Sequence, residues 1–99
     1  MSNNSIENFY IIQSEFNATQ AILERVATLY QPDDAILLME DSIYVLDLDI
    51  MQNFKTIYVL EEDLHFDISS LPHLNQIHPI THEQWANLIA HSKKIITLK

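Results

Sequence analysis

Five apolar residues, Ala35-Ile36-Leu37-Leu38-Met39, run without interruption and stop at Glu40-Asp41. The pattern returns at Thr56-Ile57-Tyr58-Val59-Leu60, which stops at Glu61-Glu62-Asp63. Runs of this length without alternation mark strands buried on both faces, as in the middle of a parallel sheet. Shorter apolar runs at Phe9-Tyr10-Ile11-Ile12, Gln76-Ile77-His78-Pro79-Ile80 and Ile95-Ile96-Thr97-Leu98 predict three further strands. Pro79 lacks a backbone donor, which makes the strand that holds it short or near an edge. Between the first two strands, Ile22, Leu23, Val26, Leu29 and Tyr30 fall on one helical stripe. Asn17 with Gln20 has the form of a capping box for that helix, and Pro32 stops it.

Near the end of the chain, Thr81 with Gln84 forms a second capping box. It opens a helix whose buried stripe is Trp85, Leu88 and Ile89 and which ends near Ser92. Lys93 and Lys94 then suit the negative end of the helix dipole. Residues 43–54 carry two signals at once. Ile43, Leu46, Ile50 and Phe54 fit a helical face, whereas Tyr44-Val45 and the alternation Leu46-Asp47-Leu48-Asp49 fit a strand. A parallel connection must cross one face of the sheet, so a short, imperfect helix is predicted there. The order β-α-β-α-β-β-α-β predicts a single three-layer α/β/α domain over residues 9–99, with a mostly parallel sheet of about five strands. Residues 1–8 are expected to form a flexible polar arm.

Composition narrows the function. The 99 residues include five basic and fourteen acidic ones, for a formal charge of −9. This argues against direct nucleic-acid binding, because phosphates require Lys and Arg. It suits solubility or a basic protein partner. Cysteine is absent, which excludes disulfides, zinc–thiolate sites and any thiol or persulfide nucleophile on this chain. Glycine is absent too, so neither of the glycine-rich phosphate loops can form. No apolar run reaches the roughly 20 residues that span a bilayer. The polar N-terminus, which carries no basic residue, does not resemble a signal peptide, and a cytoplasmic location is expected.

Three places could hold chemistry. Glu40, Asp41, Glu61, Glu62 and Asp63 end the two central strands. They would face the crevice where open α/β sheets bind ligands, either as oxygen ligands to a cation or as a phosphoryl-accepting site. However, a receiver of phosphoryl groups carries its acid pair after strand one, where this chain has Gln13-Ser14. Acids at strand ends more commonly solvate loops. His78 and His82 have the spacing of metal ligands on a helix, but Pro79 breaks any helix that would join them. No serine lies in a nucleophile elbow, which needs glycine. No catalytic, cofactor-binding or metal-ligating residue is therefore assigned. Asp41, Ile43, Tyr44, Asp63, Leu64 and Trp85 are the candidate interface residues. Each is apolar or acidic and lies beside a strand end or, for Trp85, on the last helix, where an interface anchor and an ordinary core residue look alike.

The two acid-terminated strands also resemble segments of a known family. Ala35 to Ile43 is similar to the segment "LLLLQDGV" of the TusB/DsrH family, and Lys55 to Leu64 to its segment "kvyaLneDl". Ile77 to His91, with an aromatic at Trp85, resembles the family's C-terminal strand and helix. The likeness spans roughly residues 9 to 95 in order. The family's glycine is Ser42 here, so its tight turn must be made another way. Some members carry a cysteine in the loop after strand one, where this chain has Ser14 to Asn17.

The resemblance implies a DsrEFH-like fold and a non-catalytic, structural subunit of a sulfur-relay complex. Such a subunit assembles with two sister chains of the same fold (TusC/TusD or DsrF/DsrE type) into a heterohexamer. The reactive cysteine lies on a sister, and the complex meets a sulfur-carrier protein. One branch of the family serves 2-thiolation of the tRNA wobble uridine and the other sulfur oxidation. Outside the resemblance, a free-standing α/β adaptor with a different partner stays open, as does a metal-dependent or phosphoryl-accepting domain.

Overall fold

The computed structural model describes residues 5–99. The elements run β1 (Ile6–Ile12), α1 (Phe16–Leu29), β2 (Ala35–Leu38), β3 (Ile57–Leu60), β4 (Ile77–Ile80), α2 (His82–Ala90) and β5 (Ser92–Leu98), with short 3-10 helices between β2 and β4. All five strands are parallel and lie in the order β4-β3-β2-β1-β5. The α/β class, the parallel sheet and its strand count follow the pattern of the sequence.

The strand order explains the layers. From β1 to β4 the chain steps across the sheet in one direction, so its right-handed connections stay on one face. The step from β4 back to β5 runs the other way and places α2 on the opposite face. Residue parity then divides the core. Tyr10, Ile12, Ile36, Leu38, Ile57 and Val59 point toward α1, where Leu23, Val26, Val45, Leu46, Met51 and Phe54 meet them. Phe9, Ile11, Ala35, Leu37 and Leu60 point the other way, toward Trp85, Leu88 and Ile89 of α2. β2 is buried at every position, which is why its sequence shows no alternation. Pro79 does lie on an edge strand, β4.

Four local expectations need correction. The arm predicted over residues 1–8 does not include Ile6 to Asn8, because β1 starts at Ile6, and Ile6 and Asn8 pair with Ser92 and Lys94 of β5. Residues 1–4 of that arm lie outside the described residues. Asn17 does not cap α1. The helix starts at Phe16 with Glu15 before it and no side-chain cap, while the Thr19 hydroxyl turns back to the Glu15 carbonyl at 2.7 Å. Residues 43–54 are not one imperfect α-helix but part of two 3-10 helices, Glu40–Val45 and Asp49–Asn53. With three residues per turn, Ile43 and Leu46 stack on one side, and both are buried against the sheet. Lys93 and Lys94 belong to β5 rather than to a helix end, and Lys93 Nζ lies 3.3 Å from Glu7 Oε1 on the surface.

The second capping box is formed as expected. The Gln84 amide donates to Thr81 Oγ1 at 3.1 Å, and the Thr81 amide donates to Gln84 Oε1 at 2.8 Å. The stripe of α2 is only half-buried, however. Nine residues of helix reach about 13 Å, too short to cover the whole face, and Ile95 is left 42% exposed. No helix among the described residues is long and apolar enough to cross a membrane.

Candidate functional site

The carboxyl ends of β1, β2, β3 and β5 share one rim of the sheet, and the loops that leave them build two adjoining regions. The first is a polar cavity of about 310 Å³ at the ends of β1, β2 and β5, lined by Gln13, Ser14, Glu15, Glu40, Asp41 and Lys99. Strand order reverses at β1, so this is where an open α/β sheet is best placed to receive a ligand. The cavity offers hydroxyl, carboxylate and ammonium groups. Ser14 spends its hydroxyl on a hydrogen bond with Thr19 Oγ1, the partner that also turns back into α1.

The second region surrounds the 3-10 helix after β2. The chain enters it through Glu40, a non-glycine residue in the left-handed region at φ 54°. That conformation crowds Cβ against backbone. It persists because the turn is fixed on both sides. The Glu40 amide donates to Asp63 Oδ2 at 3.0 Å, bridging the loops after β2 and β3. Ser42 is fully buried, and its hydroxyl reaches the Ile12 carbonyl at 3.0 Å and the Met39 carbonyl at 2.6 Å. The turn that a glycine would ease at position 42 is thus made by left-handed backbone at position 40 and a hydroxyl clamp at position 42. Glu40→Gly should relieve the strain and keep the amide bond to Asp63. A gain of up to about 1 kcal/mol is expected, read as a higher urea midpoint with an unchanged slope.

Asp41, Ile43, Tyr44 and Asp63 come together, lining a cavity of about 250 Å³ with Glu40 and His65. Within it Ile43 is floor, 1% exposed, and Tyr44 is wall, 47% exposed. Leu64 is half-buried and packs into the core beneath. Trp85 does not join them, because it sits on α2 across the sheet, with its ring edge-on to His82 at 5.8 Å. The sequence reading missed Phe66 and Leu71. With Ile43, Tyr44, Leu46 and Asp47 they line a neighbouring apolar cavity of about 230 Å³. The rings of Tyr44 and Phe66 stand 6.0 Å apart, tilted by 32°. Both lie in stretches without clear periodicity, so only the fold brings them side by side.

The strand-end acids do not act as one group. Asp63 accepts the Glu40 amide, and Glu62 Oε1 lies 3.1 Å from His82 Nε2 toward the other side of the rim. Among the described residues, no three His, Asp or Glu side chains are grouped to hold an ion. Asp67, in the loop beside Phe66, accepts the Ser69 amide at 2.9 Å, and this bond holds its carboxyl below the usual carboxylate range. It is therefore anionic at neutral pH.

A family model described as "DsrH like protein" matches residues 14–95. The fold is shared with the ychN protein from E. coli. Its crystal structure superposes with a TM-score of 0.63 over 94% of this chain and 99% of that one, at 14% sequence identity. No curated protein sequence matches the chain.

Proposed function

The chain belongs to the DsrH-like family, and on that premise we propose that it is a non-catalytic, structural subunit of a cytoplasmic sulfurtransferase assembly. The family is one of sulfur-relay subunits. One observation carries the non-catalytic part of the reading: the sequence holds no cysteine. A relay passes sulfur between thiolates, and a serine hydroxyl, which ionises far above neutral pH, cannot take that place. Ser14 stands in the loop where some relatives have their cysteine, and its hydroxyl is already bonded to Thr19. The travelling sulfur is then held on a sister subunit of the same fold. This chain supplies shape and contact within a heterohexamer serving 2-thiolation of the tRNA wobble uridine.

The test is affinity purification of the tagged chain from its native host, with mass spectrometry of what accompanies it. Two small α/β proteins in near-equal amount, at least one with a cysteine whose replacement stops sulfur transfer, are expected. Recovery of the chain alone, or sulfur transfer by the isolated chain, would overturn the assignment.

A further inference from the structure

The apolar cavity and the acidic cavity beside it share two residues, Ile43 and Tyr44. They adjoin at these residues as the two halves of one surface, one apolar and one acidic. In the apolar half, Leu46 is the floor at 1% exposure. Tyr44 and Phe66 stand as walls at 47% and 38%. The two neighbouring aromatic rings form one contiguous apolar patch, unlike singly exposed residues such as Leu29. The volume, about 230 Å³, lies below the roughly 300–1,000 Å³ of small-molecule pockets. It suits one large side chain.

Around the two halves acidic side chains prevail, with His65 among the residues of the acidic half and Lys99 beyond it, beside Glu40 and Asp41 in the polar cavity. Asp47 lines the apolar cavity, Glu40, Asp41 and Asp63 line or flank the acidic one, and Asp67 follows Phe66. None of the five basic residues of the chain, Arg25, Lys55, Lys93, Lys94 and Lys99, lines either half. A second copy of this chain would bring its own charge of −9 against this surface, which disfavours self-docking. The geometry points to a segment of a different polypeptide. It carries a leucine- or phenylalanine-sized anchor between Tyr44 and Phe66, with Lys or Arg on either side facing Asp41, Asp47 and Asp63. The anchor supplies affinity by leaving water, and the charges set orientation and speed of encounter. This deepens the reading of the chain as an assembly subunit and rests on it.

The probe is a fluorescein-labelled peptide, Lys-Arg-Leu-Phe-Arg-Lys, titrated with the whole purified chain and followed by anisotropy. Two companions accompany it, one with alanine in place of Leu-Phe and one with glutamate in place of the basic residues. Saturable binding is expected for the first peptide, weaker by about tenfold or more for the alanine peptide, and lost for the glutamate peptide. Raising the salt should weaken it further. Tyr44→Ala and Asp47→Lys, both at exposed positions, should each reduce binding about tenfold with unchanged circular dichroism. Amide chemical-shift changes on binding should centre on residues 43–47 and 63–71.

Absence of saturable binding would overturn the inference. So would equal binding of the alanine peptide, indifference to Tyr44→Ala, shifts centred on another face, or a dimer in sedimentation that Tyr44→Ala dissolves. The two readings fail separately. Sister proteins recovered without peptide binding would sink the docking surface alone, and peptide binding by a chain that purifies without sisters would sink the assembly alone.

Discussion

Phe54→Ala is expected to remove about 3–5 kcal/mol of stability, a large share of the roughly 5–15 kcal/mol that holds a domain folded. Phe54 is fully buried and follows the second 3-10 helix. Its ring meets Tyr30 edge-on, with centroids 5.1 Å apart and planes at 89°. Its carbonyl accepts from the Gln76 side chain just before β4. The ring therefore locks the end of α1 to the crossover into β3, while the backbone carbonyl, which alanine keeps, ties in the start of β4. Deleting the ring removes apolar burial and leaves a void that short 3-10 segments, pinned by their own hydrogen bonds, cannot collapse into. The melting temperature should fall by more than about 10 °C, and the urea midpoint should drop with an unchanged slope. A loss below about 1 kcal/mol would show that the crossover is not packed as described. Phe54→Leu, which keeps most of the volume, should cost markedly less.

Asp34→Ala should cost about 3 kcal/mol or more, by a different mechanism. Asp34 is a carboxylate only 2% exposed. Oδ1 accepts from the Asn8 amide at 3.0 Å and from Asn8 Nδ2 at 3.1 Å, and Oδ2 accepts from the Gln31 amide at 2.9 Å. Its own carbonyl accepts from the Tyr30 hydroxyl at 2.7 Å. That hydroxyl in turn accepts from the Thr56 amide at 3.1 Å. The side chain thus ties β1 to the turn that feeds β2. Hydrogen bonds to a charged acceptor contribute about 1.5–3 kcal/mol each, and the donors left behind would be part-buried and unpaired. Asp34→Asn keeps an acceptor for Asn8 but turns a donor toward the Gln31 amide, so its loss should fall between zero and that of alanine. Urea denaturation of the three proteins orders them, and a ranking with asparagine as the worst would contradict this account.

How much of this was visible in the chain depends on how many forces acted on each stretch. β2 and β3 were legible because burial on both faces leaves only one kind of side chain to choose. The Thr81–Gln84 box was legible because its two reciprocal bonds are local and need no tertiary partner. Asn17 misled because a cap signal three residues long competes with any other way to start a helix. Here the Thr19 hydroxyl, bonded back to Ser14 and Glu15, took over the first turn. Residues 40–53 were least legible. Their apolar residues answer to the sheet beneath, and their acids to solvent, so neither a period of 3.6 nor one of 2 is sustained.

The same limit applies to the docking surface. Asp41, Ile43, Tyr44 and Asp63 could be proposed from their place at strand ends. Phe66 and Leu71 could not, because their loop has no period, and their nearness to Tyr44 is a product of the fold. Trp85 separated from the others for a reason that sequence order hides. The reversal of direction between β4 and β5 sends α2 to the opposite face.

The pairing of β5 with β1 has a consequence for how the protein is made. β1 leaves the ribosome before β5, so one of its two flanks stays bare until residues 92–98 have followed. In the interval its amides and carbonyls on that side lack partners, and Phe9 and Ile11 stand beside them. A nascent chain in that condition is open to being captured by another just like it. The seven-residue strand β5 is what ends that exposure, so a ribosome stalled before it is made should yield aggregates rather than a folded domain.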